Sequence, residues 1–301
     1  MLRLASRIPS GRCLGGICAR LAPFLLAGCA PLSPAPGGAA YPTLVSLNPC
    51  SDAILAEVAD PAQILAISHY SREPNSSSMG VARAARFRAT SGAVEELLAL
   101  RPDVVVGDVF VGPATTQALG RLGLRLERLP IAPDIATARD QVRVLARLAG
   151  HPERGAALVA RIDAALARAA PPPGATPVSA VIWQSGGMVP GDGTLIADIL
   201  RRTGFAQLSA VRGMRQGDIL PLETMLADPP RVILATGDAR SNEDRALAHP
   251  ALKTLSGTRT ERIDPALLWC GGPTIIHAAE RLAYIRDKVA MPQRPPQGPV
   301  S

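Results

Sequence analysis

Two segments of this 301-residue chain, 128 residues apart, follow one template. The first runs from Ala93 to Val106 (AVEELLALRPDVVV) and the second from Pro221 to Leu234 (PLETMLADPPRVIL). Glu95 matches Glu223, Leu98 matches Leu226, Ala99 matches Ala227 and Pro102 matches Pro230. The β-branched pair Val104-Val105 matches Val232-Ile233. Each copy reads as a short helix halted near a proline and followed by an apolar strand. A repeat of this length is too long for a solenoid unit. It predicts two similar α/β lobes, and the cleft between two lobes is where ligands bind.

The order of signals supports two lobes. Strand-like runs at Thr43–Leu47, Ile64–Ser68, Val104–Gly107 and Arg125–Leu129 alternate with helical runs at 53–59 and 114–122. That alternation predicts a mostly parallel sheet with helices on both faces, over residues 43–133. Residues 71–92 are rich in Ser, Asn and Gly and read as loop. Residues 134–170 are different. Ile135, Ala138, Val142, Leu145 and Leu148 recur at helical spacing, and Pro152 suits the first turn of a second helix over 153–169. Seventeen residues span about 26 Å, enough to reach from one lobe to the other. Pro171–Pro173 stop it. The second lobe, 177–290, opens with a strand at Val178–Trp183, continues with a helix at 194–203, the second repeat copy and strands at 231–235 and 259–263, and closes with a helix over 273–289.

The formal charge of +7 overstates the basicity of the body. Arg3, Arg7, Arg12 and Arg20 precede residue 29 and no acid does, which leaves 28 basic against 25 acidic residues beyond it. No basic run carries interleaved aromatics, so nucleic acid is not an expected partner. The four arginines, the apolar stretch Leu21–Ala27 and the small residues after it form a secretory signal over 1–28. Leu26-Ala27-Gly28-Cys29 resembles a lipobox, which would make Cys29 a lipidated first residue; the alternative is a plain cleaved signal. The apolar stretch is too short to span a bilayer. Residues 29–42 read as a Pro/Gly/Ala tether, and 291–301 as a disordered tail.

Several chemistries lack their residues. There is no Gly-x-Gly-x-x-Gly after a strand and no Gly-Lys-Ser/Thr phosphate loop, and no His-Glu-x-x-His or Cys-x-x-Cys. Ser185 precedes two glycines, but Trp183 stands where a nucleophile elbow needs glycine. No catalytic residue is assigned and the chain is not expected to be an enzyme.

The paired Glu-x-x-Leu-Ala-x-x-Pro segments, the linking helix and the export signal resemble the substrate-binding proteins of bacterial ATP-driven (ABC) importers. The similar group has a rigid helical backbone and receives vitamin B12, ferric siderophores or haem. Leu44-Val45-Ser46-Leu47-Asn48-Pro49, Ser68-His69-Tyr70-Ser71 and Gly272-Pro273-Thr274-Ile275-Ile276 carry the likeness. The resemblance implies two Rossmann-like lobes joined by a stiff helix, and a monomeric periplasmic receptor with no intrinsic cofactor. The implied cargo is cobalamin or a ferric siderophore, with haem or a free metal ion as alternatives and a tetrapyrrole chelatase-like enzyme as a more distant one. It places Tyr70 and the segment Ala266–Cys270 against the cargo. It implies that Glu95 and Glu223 dock onto arginines of a dimeric permease, one lobe per subunit. Thr90 stands where the vitamin B12 receptor has an aromatic, and Arg72, Arg83, Arg86 and Arg88 are candidates for an anionic cargo.

The residues themselves add candidates. Asn48, Cys50, His69, Tyr70, Trp269 and Cys270 fall near strand ends facing the cleft. In an oxidising compartment Cys50 and Cys270 have three open readings: a disulfide clamping the lobes, thiol ligands to the metal of the cargo, or two small buried side chains. Trp269 suits stacking on a flat macrocycle, whereas Trp183 suits the core. His277 suits packing within the last helix, and His151 and His249 adjoin prolines at turns. The four histidines are scattered, which speaks against a free zinc or manganese receptor.

Overall fold

The computed structural model describes residues 41–237 and 249–290. The signal segment, Cys29, most of the tether and the 291–301 tail lie outside them. The described residues belong to one compact unit.

Among the described residues nine strands form two parallel sheets. The first contains β1 (Leu44–Ser46), β2 (Ile64–Ser68), β3 (Ala89–Thr90), β4 (Val104–Asp108) and β5 (Arg125–Leu129), in the order β3-β2-β1-β4-β5. The second contains β6 (Val178–Trp183), β7 (Phe205–Gln207), β8 (Val232–Ala235) and β9 (Arg259–Arg262), in the order β7-β6-β8-β9. Around the first sheet lie α1 (Pro49–Val58), α2 (Val81–Ala84), α3 (Val94–Leu100) and α4 (Pro113–Arg121). Then come α5 (Ile135–Leu148) and α6 (Pro152–Ala169). Around the second sheet lie α7 (Leu195–Arg202), α8 (Leu208–Val211), α9 (Leu222–Ala227), α10 (Pro250–Lys253) and α11 (Thr274–Ala290).

Side-chain alternation along the strands assigns the layers. Val104 and Val106 face a core shared with Ile54, Val142, Leu158 and Ile162, while Val105 faces the opposite side with Leu97 and Leu119. In the second sheet Ala180, Ile182, Val232 and Leu234 join that same shared core, and Val181, Trp183 and Ile233 face a separate one with Met225. One apolar core therefore runs beneath both sheets, and α6 packs against α1, α5, α7 and α11. The linking helix is thus an amphipathic strut: Leu158, Ile162, Ala165 and Leu166 are buried in the core, while Glu153, Arg161, Asp163 and Arg168 are exposed. Gly155 of α6 makes its close approach to α5 possible, since a Cβ there would lie 2.4 Å from that of Ala146.

The repeat is realised as α3–β4 and α9–β8. In each copy the helix residue that enters the core is the one before the matched leucine: Leu97 and Met225 are buried, whereas Leu98 is 46% exposed. Three expectations change. The 71–92 stretch contains α2 and the edge strand β3, both too short to leave a periodic signal. Tyr41 and Pro42 belong to the body instead of the tether, because the Tyr41 ring packs on His151 at 4.3 Å between centroids and the Pro42 carbonyl accepts from Gln63 Nε2 at 3.0 Å. His277 is exposed on α11 and does not pack in the core.

Candidate ligand-binding site

A cavity of about 580 Å³ opens between the two sheets. Its first wall follows the C-terminal ends of β1, β4 and β5, bringing Asn48, Cys50, Asp108, Phe110 and the Leu129–Pro133 segment. Its second wall comes from the turn before α7 (Gly193 and Thr194), from Gln216 and from the segment before α11 (Leu268, Trp269 and Gly271). Gln141 of α5 closes the back. Open parallel sheets place ligands beyond the carboxyl ends of their strands, and this cavity follows that rule.

Asn48 organises the first wall. Its Oδ1 caps α1, accepting from the backbone N–H of Cys50 at 2.7 Å and of Ser51 at 3.4 Å, and Pro49 occupies the first helical position. Its Nδ2 donates to Asp108 Oδ2. The other oxygen of Asp108 accepts from the Phe110 N–H at 2.8 Å, and Arg128 donates to the carbonyls of Asp108 and Val109 at 3.3 and 3.1 Å. This hydrogen-bonded turn holds Phe110 with 77% of its surface exposed. Trp269, 49% exposed, projects from the other wall. The polar groups between the two aromatics are amides and hydroxyls; among the described residues the one ionisable side chain lining the cavity is Asp108.

Cys50 and Cys270 are joined in a disulfide across the cleft, with their Cα atoms 4.9 Å apart and 220 residues between them in sequence. Of the three open readings the structure has the clamp. Bonded to each other, the sulfurs are not the thiol ligands also considered, because a metal binds thiolate. Cys270 is buried, and Cys50 lines the cavity.

Asn48, Cys50 and Trp269 thus meet at the cavity, with Cys270 bridged beneath. His69 and Tyr70 do not line it. They follow β2, and the cavity lies at the β1, β4 and β5 ends of that sheet. The His69 ring stacks on Tyr70 at 4.0 Å between centroids and its Nδ1 lies 3.3 Å from the Thr90 carbonyl. Thr90 is buried and donates through Oγ1 to Glu96 Oε2 at 2.5 Å, so its own side chain offers no stacking surface. The four candidate arginines are also off the wall: Arg72 donates to the Phe87 carbonyl, and Arg83 pairs with Glu57 and donates to the Ala56 carbonyl. Trp183 is buried in the core as expected, and His151 is held by Gln63 Oε1 at 3.1 Å and Asp60 Oδ2 at 3.3 Å. Phe110 escaped the sequence reading. Its signal was present: an aromatic in a chain with 3% aromatics, two residues beyond a strand.

Behind the α1 N-terminus, Asp52 is fully buried. Its Oδ2 accepts from the Ser68 N–H at 3.0 Å and the Ser71 hydroxyl at 2.6 Å, while its Oδ1 has no partner among the described residues. Burial pushes its carboxyl up from 3.8 to about 7, while the nearby Ser46 and Ser71 hydroxyls and the Ser68 N–H hold it down. Among the described residues no group of three or more His, Cys, Asp or Glu side chains could hold a metal ion, and no helix is long and apolar enough to cross a membrane.

The family model for periplasmic binding proteins matches residues 44–263. Among solved structures, the periplasmic haem-binding protein RhuT of Roseiflexus sp. RS-1 is 20% identical, with a TM-score of 0.65 over 84% of this chain and 100% of that one. A periplasmic haem-binding protein of Pseudomonas aeruginosa is 22% identical, with a TM-score of 0.64 over 85% and 96%. The periplasmic vitamin B12-binding protein BtuF of Vibrio cholerae is 16% identical, with a TM-score of 0.63 over 84% and 99%. These likenesses share the bilobal α/β fold. No curated protein matches the chain.

Proposed function

The chain belongs to the periplasmic binding protein family, and we propose that its cargo is a corrinoid such as cobalamin, captured between the sheets and handed to a permease. The family consists of binding proteins, not enzymes, which sets aside the chelatase-like alternative, and its members deliver ligand to an ABC permease.

The observation that carries the cargo assignment is the make-up of the cavity. Phe110 and Trp269 offer flat apolar faces, and Asn48, Gln141 and Gln216 offer neutral amides beside the carboxylate of Asp108. A corrin presents a flat ring with carboxamides around its rim and a cobalt whose ligands it largely carries itself. Haem presents two carboxylates, and a ferric catecholate is an anion; each would meet Asp108 unfavourably and find no cationic side chain among the described lining residues. Titration calorimetry of the mature chain with cyanocobalamin, haemin and a ferric catecholate tests this. Binding of cyanocobalamin alone is expected. Tighter binding of haemin or of the ferric catecholate would overturn the corrinoid reading.

Glu95 and Glu223 are the docking residues in this reading, one on each lobe, with a dimeric permease receiving the monomeric receptor. Both are exposed in the first turns of α3 and α9, and neither has a hydrogen bond or ion pair among the described residues. The neighbouring Glu96 has a local task, accepting from the Ser91 N–H at 2.9 Å and from Thr90. The matched positions 95, 98 and 99 all lie on the outer face of α3, where the core sets no constraint. A two-fold partner would use such a repeated outer face. Cys29 is the proposed lipid anchor; loss of acyl labelling in Cys29→Ala would support it and persistent labelling would refute it.

A further inference from the structure

The segment between β9 and α11 carries Trp269, yet it is poorly tied by hydrogen bonds. One short turn, Pro265–Leu267, is capped by Asp264, which accepts from the Ala266 N–H at 2.9 Å. Regular hydrogen bonding resumes at the Ile275 N–H, which donates to the Gly272 carbonyl at 3.2 Å. Between them, the N–H groups of residues 269–272 donate to no partner among the described residues. Packing holds the rest: Leu268 is buried in the shared core, and two glycines make close contacts. A Cβ on Gly271 would lie 3.0 Å from that of Ala138, and one on Gly272 would lie 2.4 Å from Ile54 Cγ1, so the segment lies on α5 and α1. The one covalent tether is the disulfide from Cys270 to Cys50 in the first turn of α1. Each cysteine has cavity-lining neighbours, Ser51 on one side and Trp269 and Gly271 on the other.

We propose that the Cys50–Cys270 disulfide is a redox latch that fixes the Trp269 wall, so that a dithiol opening it loosens this wall and weakens cargo binding. The step balances as thiol–disulfide exchange. A thiolate of a dithiol protein attacks one sulfur, the Cys50–Cys270 bond breaks, and its second thiol resolves the mixed disulfide. The dithiol leaves as a disulfide, having given up two electrons and two protons, which end on the thiols of Cys50 and Cys270. The bridge is reached through the cavity, because Cys270 is 5% exposed and Cys50 is the member lining the cleft. Cargo and reductant therefore compete for the same approach. Linkage makes the coupling reciprocal: whatever factor reduction removes from cargo affinity, cargo adds to the resistance of the bridge to reduction.

The cargo half of this inference rests on the receptor reading above, and the latch itself does not. The test is hydrogen exchange on the full mature chain, bridge intact, reduced with dithiothreitol, and as the Cys50→Ala/Cys270→Ala double variant, without cargo. Exchange at the hydrogen-bonded amides flanking Trp269, those of Ala266, Leu267, Leu268, Ile275 and Ile276, is expected to rise about tenfold in both opened forms, with α6 and the central strands unchanged. Unchanged exchange at these amides overturns the latch. A rise spread equally over α6 and both sheets also overturns it, since the bridge would then be a global staple. With cyanocobalamin as the probe, reduction should raise the Kd about tenfold, and saturating cyanocobalamin should lower the reduction potential by about 30 mV. Equal affinity in both redox states overturns the coupling. If the oxidised protein does not bind cyanocobalamin at all, the cargo assignment fails while the exchange result still decides the latch.

Discussion

Asp52→Asn tests the energetics of the buried acid behind the cavity wall. Asp52 is fully buried in α1, and its carboxyl is raised from 3.8 to about 7 by desolvation. The folded protein therefore keeps this proton to higher pH than the unfolded chain does. Below about pH 4 both states hold it. Between about pH 4 and pH 7 the unfolded chain has released it and the folded one has not, so stability falls as pH rises through this window. Above about pH 7 both states are ionised and the contribution is level. A shift of about three units at about 1.4 kcal/mol each amounts to roughly 4 kcal/mol as an upper figure. Asparagine removes the titration and can still accept from the Ser68 N–H and the Ser71 hydroxyl. The variant is expected to be more stable than the natural protein by about 2–4 kcal/mol at pH 8, with the gap closing towards pH 4. Urea unfolding at half-unit pH steps measures it, and the informative quantity is the difference between the two profiles, since other groups cancel. Parallel profiles would show that Asp52 does not titrate between about 4 and 7 and would refute the desolvation argument.

Phe110→Ala and Trp269→Ala should each weaken cargo binding by about 1–3 kcal/mol in calorimetry while Tyr70→Ala leaves it unchanged; the reverse pattern would move the site to the β2 end of the sheet. Glu95→Arg combined with Glu223→Arg should keep cargo affinity, lose at most about 1 kcal/mol of stability per site and abolish uptake in cells, so surviving uptake would refute docking. Gly155→Ala should force α5 and α6 apart, because the new Cβ meets that of Ala146, and lower stability by about 1–3 kcal/mol; an unchanged urea midpoint would contradict the strut description of α6.

The local signals of this chain were readable from its residues. The β-branched runs at 64–68, 104–106 and 178–183, the apolar stripe of α5 and Pro152 at the start of α6 each form their element because neighbours in sequence suffice for it. The internal repeat likewise implied two parallel α/β halves, since the same short helix and strand recur with the same proline between them. What required the tertiary structure was every property that depends on strand order. The order β3-β2-β1-β4-β5 puts the cavity at the β1, β4 and β5 ends, which selects Phe110 and passes over Tyr70, though both are aromatics just beyond a strand. Burial was the second such property. Asp52 reads in sequence as an ordinary first-turn acid, and only the packing of β2 and the turn at Ser71 over α1 takes it out of water. The disulfide was the third, because two cysteines 220 residues apart bond only where folding brings the first turn of α1 against the segment before α11. Periodicity reports on contacts within a few residues, and the site is made of contacts between elements far apart in the chain.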